Sequence, residues 1–421
     1  MGGAIPSVGL TGYFLGAVAA PFYFATPENR WGEFFHPYIP EWLAPRNVNG
    51  ALDYLFEGLP PGEPIPWAVW YVPVACWMAL VTALFAASVC IAVILRKQWV
   101  ESERLTYPML QPVLELTDRS ETGNFPGLFW IGFSVAFGII AWNMIHYFVP
   151  GFPEIPNIRW GPWVRFERYF PGVWTRVNMF TISFCYFANI DVLFSLWFFD
   201  LLFVIRSGIL NQLGYNASSW SHASADFQYI PLGAFFALVA WGVWSARGHL
   251  KMVAKKALGR EAPLDESEEM MSYRTAAFGL VASVLFGVFW FWQAGMGFGV
   301  ACLFVFASLV LYIGVARIVS DVGLVFVSMP VGPRGFVSSL FGSRNLSGSS
   351  LTTLAFTNAI ASYGKGLFMP AVTHGAKLAD ACPKAGRRGA AGRAVSGLWS
   401  GLRSVNSVYA VPWIYVRSLQ F

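Results

Sequence analysis

The chain has 421 residues, of which 56% are hydrophobic, 17% are aromatic and only 12% are charged. Soluble domains carry about 25% charged residues, and a chain this apolar could not stay in water, which excludes the secreted, disordered and nucleic-acid-binding classes. The 28 basic residues exceed the 23 acidic ones by a small margin, so the charges are informative mainly through their positions in loops. The composition predicts a membrane protein surrounded by the lipid bilayer.

Apolar runs of about 20 residues, enough to cross about 30 Å of hydrocarbon, recur along the chain. The clearest run covers residues 67–95, and it begins at Trp67 and is followed by Arg96, as is typical of a span anchored by aromatic and basic residues. The other regular candidates are residues 9–26, 129–149, 231–246, 275–294 and 298–316. We predict an all-α fold, a polytopic membrane helical bundle of six to nine spans that forms one domain over residues 1–421.

Two further apolar runs contain polar interruptions. Residues 179–210 are long enough to cross a membrane, but Asn189 and Asp191 interrupt them near the centre, which predicts a broken or re-entrant helix. Residues 351–370 are apolar only in patches, as in a re-entrant or partly wet helix. A glycine-rich turn at residues 295–297 predicts that the two flanking runs form a helical hairpin.

The charges in the loops predict the sides of the membrane. Residues 27–66 carry six acidic and two basic residues, and we predict that they and residues 151–178 are external loops. The basic segments 96–124 and 247–274 are predicted to be cytoplasmic loops. An even number of crossings must then separate these two segments, so we expect residues 179–210 to enter and leave on one side.

Asp191 is the sharpest candidate for a functional residue. A carboxylate at the centre of a span costs at least ~2.5 kcal/mol unless it meets water or a partner, so it is expected to face a cavity. Together with Asn189 it is suited to coordinating a cation or relaying a proton. A structural hydrogen bond to a neighbouring helix is the alternative.

The segment 96–117 places charges and two prolines directly after the clearest span, which predicts a helix break. Glu101, Glu103 and Arg104 are candidates for the wall of a substrate vestibule, as in transporters built on discontinuous helices. A cytoplasmic linker with solvated charges fits the same residues, because charge next to a span is common.

A weak internal echo adds two candidates. The segment after residue 96 contains an acidic cluster and reaches Tyr107, while the segment after Arg317 contains Asp321 and reaches Phe326. Both place an acidic residue, a leucine and an aromatic residue after a long span. Repeat-built transporters carry their sites at such corresponding interruptions, so the echo indicates a possible internal repeat with Tyr107 and Asp321 near the pathway.

The sequence contains no pattern that points to catalysis or to metal binding. The five cysteines are scattered without a CxxC pair, and the five histidines form no HxxxH or HExxH spacing. No GxSxG, Walker A or dinucleotide fingerprint occurs in a strand-turn-helix context. We predict no enzymatic activity, no metal site and no nucleic-acid partner, and the pattern names no cofactor.

Several segments resemble a family of uncharacterised bacterial polytopic membrane proteins, the DUF6785 type. They are residues 28–31 (ENRW), 56–60 (FEGLP), 65–67 (IPW), 96–108 (RKQWVESERLTYP) and 316–324 (ARIVSDVGL). The turn LTYP is also similar to an element of the oligopeptide and metal-chelate transporter (OPT) superfamily. The resemblance implies an all-helical, repeat-built, transporter-like fold with the break after residues 67–95 near the pathway.

The resemblance leads to two functional hypotheses for a multi-pass protein of the bacterial inner (cytoplasmic) membrane. The first is a transporter-like protein that moves a small-molecule substrate, such as a small peptide or a metal chelate, by an ion-coupled mechanism. Proteins that resemble this one usually carry more helices than this chain does, both before the ENRW element and after the last basic loop. Other subunits are then expected to take the place of those helices. The alternative is therefore a non-transporting structural or accessory subunit that has other membrane subunits as partners.

Overall fold

The computed structural model describes most of the chain between residues 14 and 378. The described residues are 14–60, 62–122, 125–149, 151–155, 163–164, 169–174, 179–214, 225–266, 269–323, 327, 329, 331–358 and 368–378. They divide into two compact units. Unit 1 comprises Met1–Leu105, Leu232–Arg317 and Val327–Phe421, and unit 2 comprises Thr106–Pro231 and Ile318–Phe326.

The described chain is almost entirely helical, as predicted. Its α-helices are α1 (Phe14–Tyr23), α2 (Trp31–Phe34), α3 (Asp53–Phe56), α4 (Trp67–Lys97), α5 (Gln111–Thr122), α6 (Gly127–Phe148), α7 (Met179–Cys185), α8 (Ile190–Gln212), α9 (Ala225–Ser245), α10 (Arg247–Ala257), α11 (Tyr273–Gln293), α12 (Phe298–Val322), α13 (Pro333–Phe341), α14 (Gly348–Phe356) and α15 (Met369–Leu378).

Several short elements complete the described fold. The 3-10 turns are His36–Tyr38, Pro108–Leu110 and Ser343–Asn345, and one π-helical turn covers Gln98–Ser102. Two strands of two residues each, β1 (Trp163–Val164) and β2 (Val173–Trp174), pair antiparallel with Trp163 opposite Trp174. The described fold is therefore all-α, as predicted, apart from this one pair of short strands.

Five helices in the described chain are long and apolar enough to cross a membrane: α4 with its π-helical turn, α6, α8, α11 and α12. Helix α1 and the residues Pro231–Ser245 of α9 are apolar but shorter. These helices are those of a membrane protein. The predicted count of six to nine spans is not confirmed, and parts of the predicted runs 9–26 and 351–370 lie outside the described residues.

Helix α4 forms the core of unit 1. Its buried residues Trp77, Val81 and Phe85 recur at helical spacing and pack in one cluster with Trp290 and Phe291 of α11. The Trp77 and Trp290 rings lie 4.9 Å apart. The Trp77 Nε1 donates to the Leu43 carbonyl at 2.8 Å, which satisfies a polar group that burial would otherwise leave without a partner.

Helices α11 and α12 form the predicted hairpin within unit 1. Gly295 at the turn has φ +102°, a conformation that glycine adopts readily because it has no Cβ. The Phe291 and Phe304 rings meet across the hairpin with centroids 4.8 Å apart. The Thr353 hydroxyl of α14 donates to the Ala294 carbonyl at 2.7 Å and so ties the turn to the rest of the unit.

The long helices α6 and α8 belong to unit 2. Near its C-terminal end, α8 buries Val204, Ser207 and Gly208. A side chain at Gly208 would overlap the Phe170 ring, so glycine permits this close approach. Helix α6 contrasts with α8, because none of its 22 residues is buried.

Candidate functional site

The predicted interruption of residues 179–210 is confirmed. Helix α7 ends at Cys185, and α8 begins at Ile190. Asn189 caps α8, because its side-chain oxygen accepts a hydrogen bond from the Asp191 N–H at 3.0 Å. A capping asparagine satisfies one of the backbone N–H groups that have no partner at a helix start. Asp191 therefore lies in the first turn of α8, at one end of the candidate span Ile190–Gln212. The prediction that it lies near the centre of a span was wrong, because the break before α8 divides the apolar run. At the start of a helix, the helix dipole favours a negative charge.

Asp191 lines an open groove of about 760 Å³ in unit 2. This volume falls in the range of about 300–1,000 Å³ that is typical of small-molecule sites. The polar side chains of the groove are Asp191, Ser195, Asp200 and Arg206, and its apolar wall consists of Val192, Leu196, Phe199, Leu202, Phe203 and Pro231. An apolar wall with a few polar groups is the usual composition of a ligand site.

The groove contains two charged residues that were not predicted as site residues from the sequence, Asp200 and Arg206. Asp200 and Arg206 are six residues apart and do not share a helical face, and this spacing gave no reason to pair them. Both side chains line the groove, together with other residues of α8 and Pro231 of α9. The signal in the sequence was the number of charges within one apolar helix, not their helical spacing.

The chemistry of the groove suits a ligand that carries charges of both signs. The carboxylates of Asp191 and Asp200 are suited to an ammonium group or a metal cation, and the Arg206 guanidinium is suited to a carboxylate or phosphate. The Ser195 hydroxyl donates to the backbone carbonyl oxygen of Asp191 at 2.7 Å. The side-chain carboxylate of Asp191 takes no part in this hydrogen bond.

The predicted break after α4 is also confirmed, and its backbone is strained. The π-helical turn Gln98–Ser102 ends α4, and such turns often occur at functional sites. Arg104 and Tyr107 then adopt φ of +52° and +45°, a region that costs non-glycine residues of order 1–3 kcal/mol. Glu101 and Arg104 are exposed, whereas Tyr107 is buried.

Glu103, in unit 1, is held by a local ion pair. One of its carboxylate oxygens lies 2.7 Å from the Arg317 Nη2, and both side chains are largely buried. The Gln98 amide donates to the other oxygen at 3.1 Å. Glu103 is therefore held in a local salt bridge at the end of α4. The alternative hypothesis of a structural subunit expects local salt bridges of this kind.

Within unit 2, the two segments of the internal echo lie side by side. The Tyr107 N–H donates to the Ser320 carbonyl at 2.9 Å, and the Thr106 hydroxyl donates to the Asp321 carbonyl at 3.0 Å. The structure therefore brings Tyr107 next to Asp321, whose side chain is exposed. The internal repeat itself remains a prediction.

The predicted pathway residues thus fall into separate local arrangements. Asn189 and Asp191 share the start of α8, the Tyr107 N–H donates to the carbonyl of Ser320, the residue before Asp321, and Glu103 is paired with Arg317. That all the candidates surround one cavity remains a prediction. Among the described residues, no three His, Cys, Asp or Glu side chains are grouped so that they could hold a metal ion.

The five candidate spans and the almost entirely helical described chain define a helical membrane protein. A family model matches residues 1–418, and the chain belongs to that family, DUF6785, a family of unknown function. No curated protein and no solved structure matches the chain.

Proposed function

We propose that this protein is a transporter-like protein of the bacterial inner membrane that moves a small organic solute by an ion-coupled mechanism. The observation that carries the proposal is the groove on α8, which is lined by apolar side chains together with two carboxylates and one guanidinium. Asp200 and Arg206 lie inside the candidate span Ile190–Gln212, where charged residues are costly and usually functional. The break at Asn189 also supports the proposal, because transporter sites typically lie at discontinuous helices.

The charges in the groove favour small peptides over metal chelates as the substrate class. A small peptide carries an ammonium group at one end and a carboxylate at the other. Asp191 and Asp200 fit the first, and Arg206 fits the second.

The test is uptake by proteoliposomes that contain the full chain, with radiolabelled trialanine as the probe and an imposed proton gradient. Asp191→Asn and Arg206→Gln should each reduce uptake roughly tenfold or more, because a hydrogen bond to a charged group contributes about 1.5–3 kcal/mol. Glu33→Gln, in an exposed ion pair of unit 1, is the matched control and should leave uptake unchanged. Absence of uptake both of trialanine and of a ferric chelate would contradict the proposal.

A second candidate function is a structural or accessory subunit of a larger membrane complex. Helix α6 supports it, because none of its residues is buried and Trp130, Ile131 and Phe133 are all at least half exposed. Another membrane protein would cover part of such a helix. Purification from native membranes should then yield a complex of fixed stoichiometry that Trp130→Ala with Phe133→Ala dissociates. A lipid-facing α6 would tolerate both changes.

A further inference from the structure

Helix α10 presents a row of basic side chains on one face. Arg247, Lys251 and Lys255 follow at intervals of four residues and are all exposed. Residues four apart lie on the same side of a helix. The opposite face buries His249, Val253 and Ala257. We call the row Arg247, Lys251 and Lys255 the basic face.

The orientation of the basic face is set by contacts within unit 1. The His249 Nε2 makes a buried hydrogen bond with the Ile94 carbonyl of α4 at 2.8 Å. Val253 packs in a buried cluster that includes Tyr273 of α11 and Val93 of α4. Because the inner side of α10 is held at two points, the basic face is turned outward.

The basic face has no acidic partner within the described chain. Helix α10 contains no acidic residue, and none of the described carboxylates forms a salt bridge with Lys251 or Lys255. Lys256, on the side of the row, differs because its ammonium group lies 3.4 Å from a Glu266 oxygen. Among the described residues, the basic face therefore has no acidic counter-charge.

The position of the basic face points to its ligand. It begins two residues after α9, an apolar helix of 21 residues that ends with the exposed Trp241 and Trp244. Tryptophans are enriched at the headgroup level of membranes. The Arg247 guanidinium lies over the Trp244 ring, 4.7 Å from its centroid, so the aromatic and basic groups form one continuous surface.

We propose that the basic face binds the headgroups of anionic phospholipids in the bilayer. Basic helices next to an apolar segment are attracted to anionic lipid surfaces, and each lysine or arginine near the surface strengthens binding roughly fivefold. Leu258 directly follows α10 and is 71% exposed, where an apolar side chain can enter the boundary between headgroups and acyl chains. This lipid site shares no residue with the groove on α8, and its proposed role does not depend on transport.

The test is native mass spectrometry of the full chain released from micelles that contain equal amounts of phosphatidylglycerol and phosphatidylcholine. The wild-type protein should retain phosphatidylglycerol in preference. Lys251→Gln with Lys255→Gln should reduce that preference roughly tenfold or more. The matched control is Arg334→Gln with Arg344→Gln, which removes two exposed charges from other elements and should leave the preference unchanged.

Two further measurements keep the outcome decisive. Lys251→Arg with Lys255→Arg should keep the preference, because the charge and not the ammonium group is required. The thermal midpoint of each variant in phosphatidylcholine alone shows whether it is folded, and the single variant Lys251→Gln replaces the double variant if that fails to fold. Equal retention of the two lipids by the wild type, or an unchanged preference in the folded glutamine variant, would overturn the proposal.

Discussion

Arg96 and Glu269 are 173 residues apart in the chain and form a two-point ion pair in unit 1. The Arg96 Nε and Nη2 lie 2.9 Å from the two carboxylate oxygens of Glu269. The Arg96 side chain is 6% exposed and the Glu269 side chain is not exposed at all. The Tyr273 hydroxyl donates to the same carboxylate at 3.2 Å. This cluster joins the end of α4 to the start of α11.

Glu269→Gln should destabilise the protein by about 3–5 kcal/mol, because it leaves the Arg96 guanidinium buried without its counter-charge. Denaturant unfolding in detergent micelles measures the change. The exposed pair Arg30 and Glu33 is the control, and Glu33→Gln should cost no more than about 1 kcal/mol. Similar losses for the two variants would show that the buried pair is solvated.

Asn189→Ala should loosen the start of α8, because it removes the side-chain acceptor for the Asp191 N–H. An N-cap of this kind contributes about 1 kcal/mol, so hydrogen exchange in the first turn of α8 should accelerate roughly fivefold. Asn189→Asp keeps a capping oxygen and should leave the exchange rate near that of the wild type. Equal exchange in all three proteins would contradict the cap.

Gly314→Ala should destabilise unit 1 by about 1–3 kcal/mol through overpacking. A Cβ at Gly314 would overlap the Phe235 ring of α9. Gly299 lies in the same helix, α12, and a Cβ there meets nothing within 4 Å. Gly299→Ala is therefore the matched control and should be neutral or stabilising, since alanine is the better helix former. Thermal unfolding of the two variants should separate them clearly.

Stability should fall when the pH is lowered through the titration range of His374. Burial lowers the pKa of the His374 imidazole, although its hydrogen bond to the Pro370 carbonyl opposes the shift. The unfolded chain then binds a proton at about pH 6.5 that the folded chain does not accept, so stability is complete above this range and is lost below it. The thermal midpoint of His374→Gln should depend less on pH than that of the wild type.

Much of the architecture could be predicted because its signals are local. The apolar runs corresponding to α4, α11 and α12 are close to the helices found, since a helix that crosses a bilayer needs only length and apolarity. The break at Asn189 could be read in the same way, because a capping side chain acts on the backbone two residues away. The break after α4 was predicted from the charges and prolines that follow it, whereas the left-handed backbone of Arg104 and Tyr107 was not predicted.

The composition and the hydropathy pattern by themselves determined that this is a helical membrane protein with interrupted helices, because these properties depend on neighbouring residues. Only the tertiary structure decided which distant groups meet. It paired Arg96 with Glu269 and Glu103 with Arg317. Helical periodicity describes one face of one helix, whereas these contacts depend on how elements far apart in the chain pack in space.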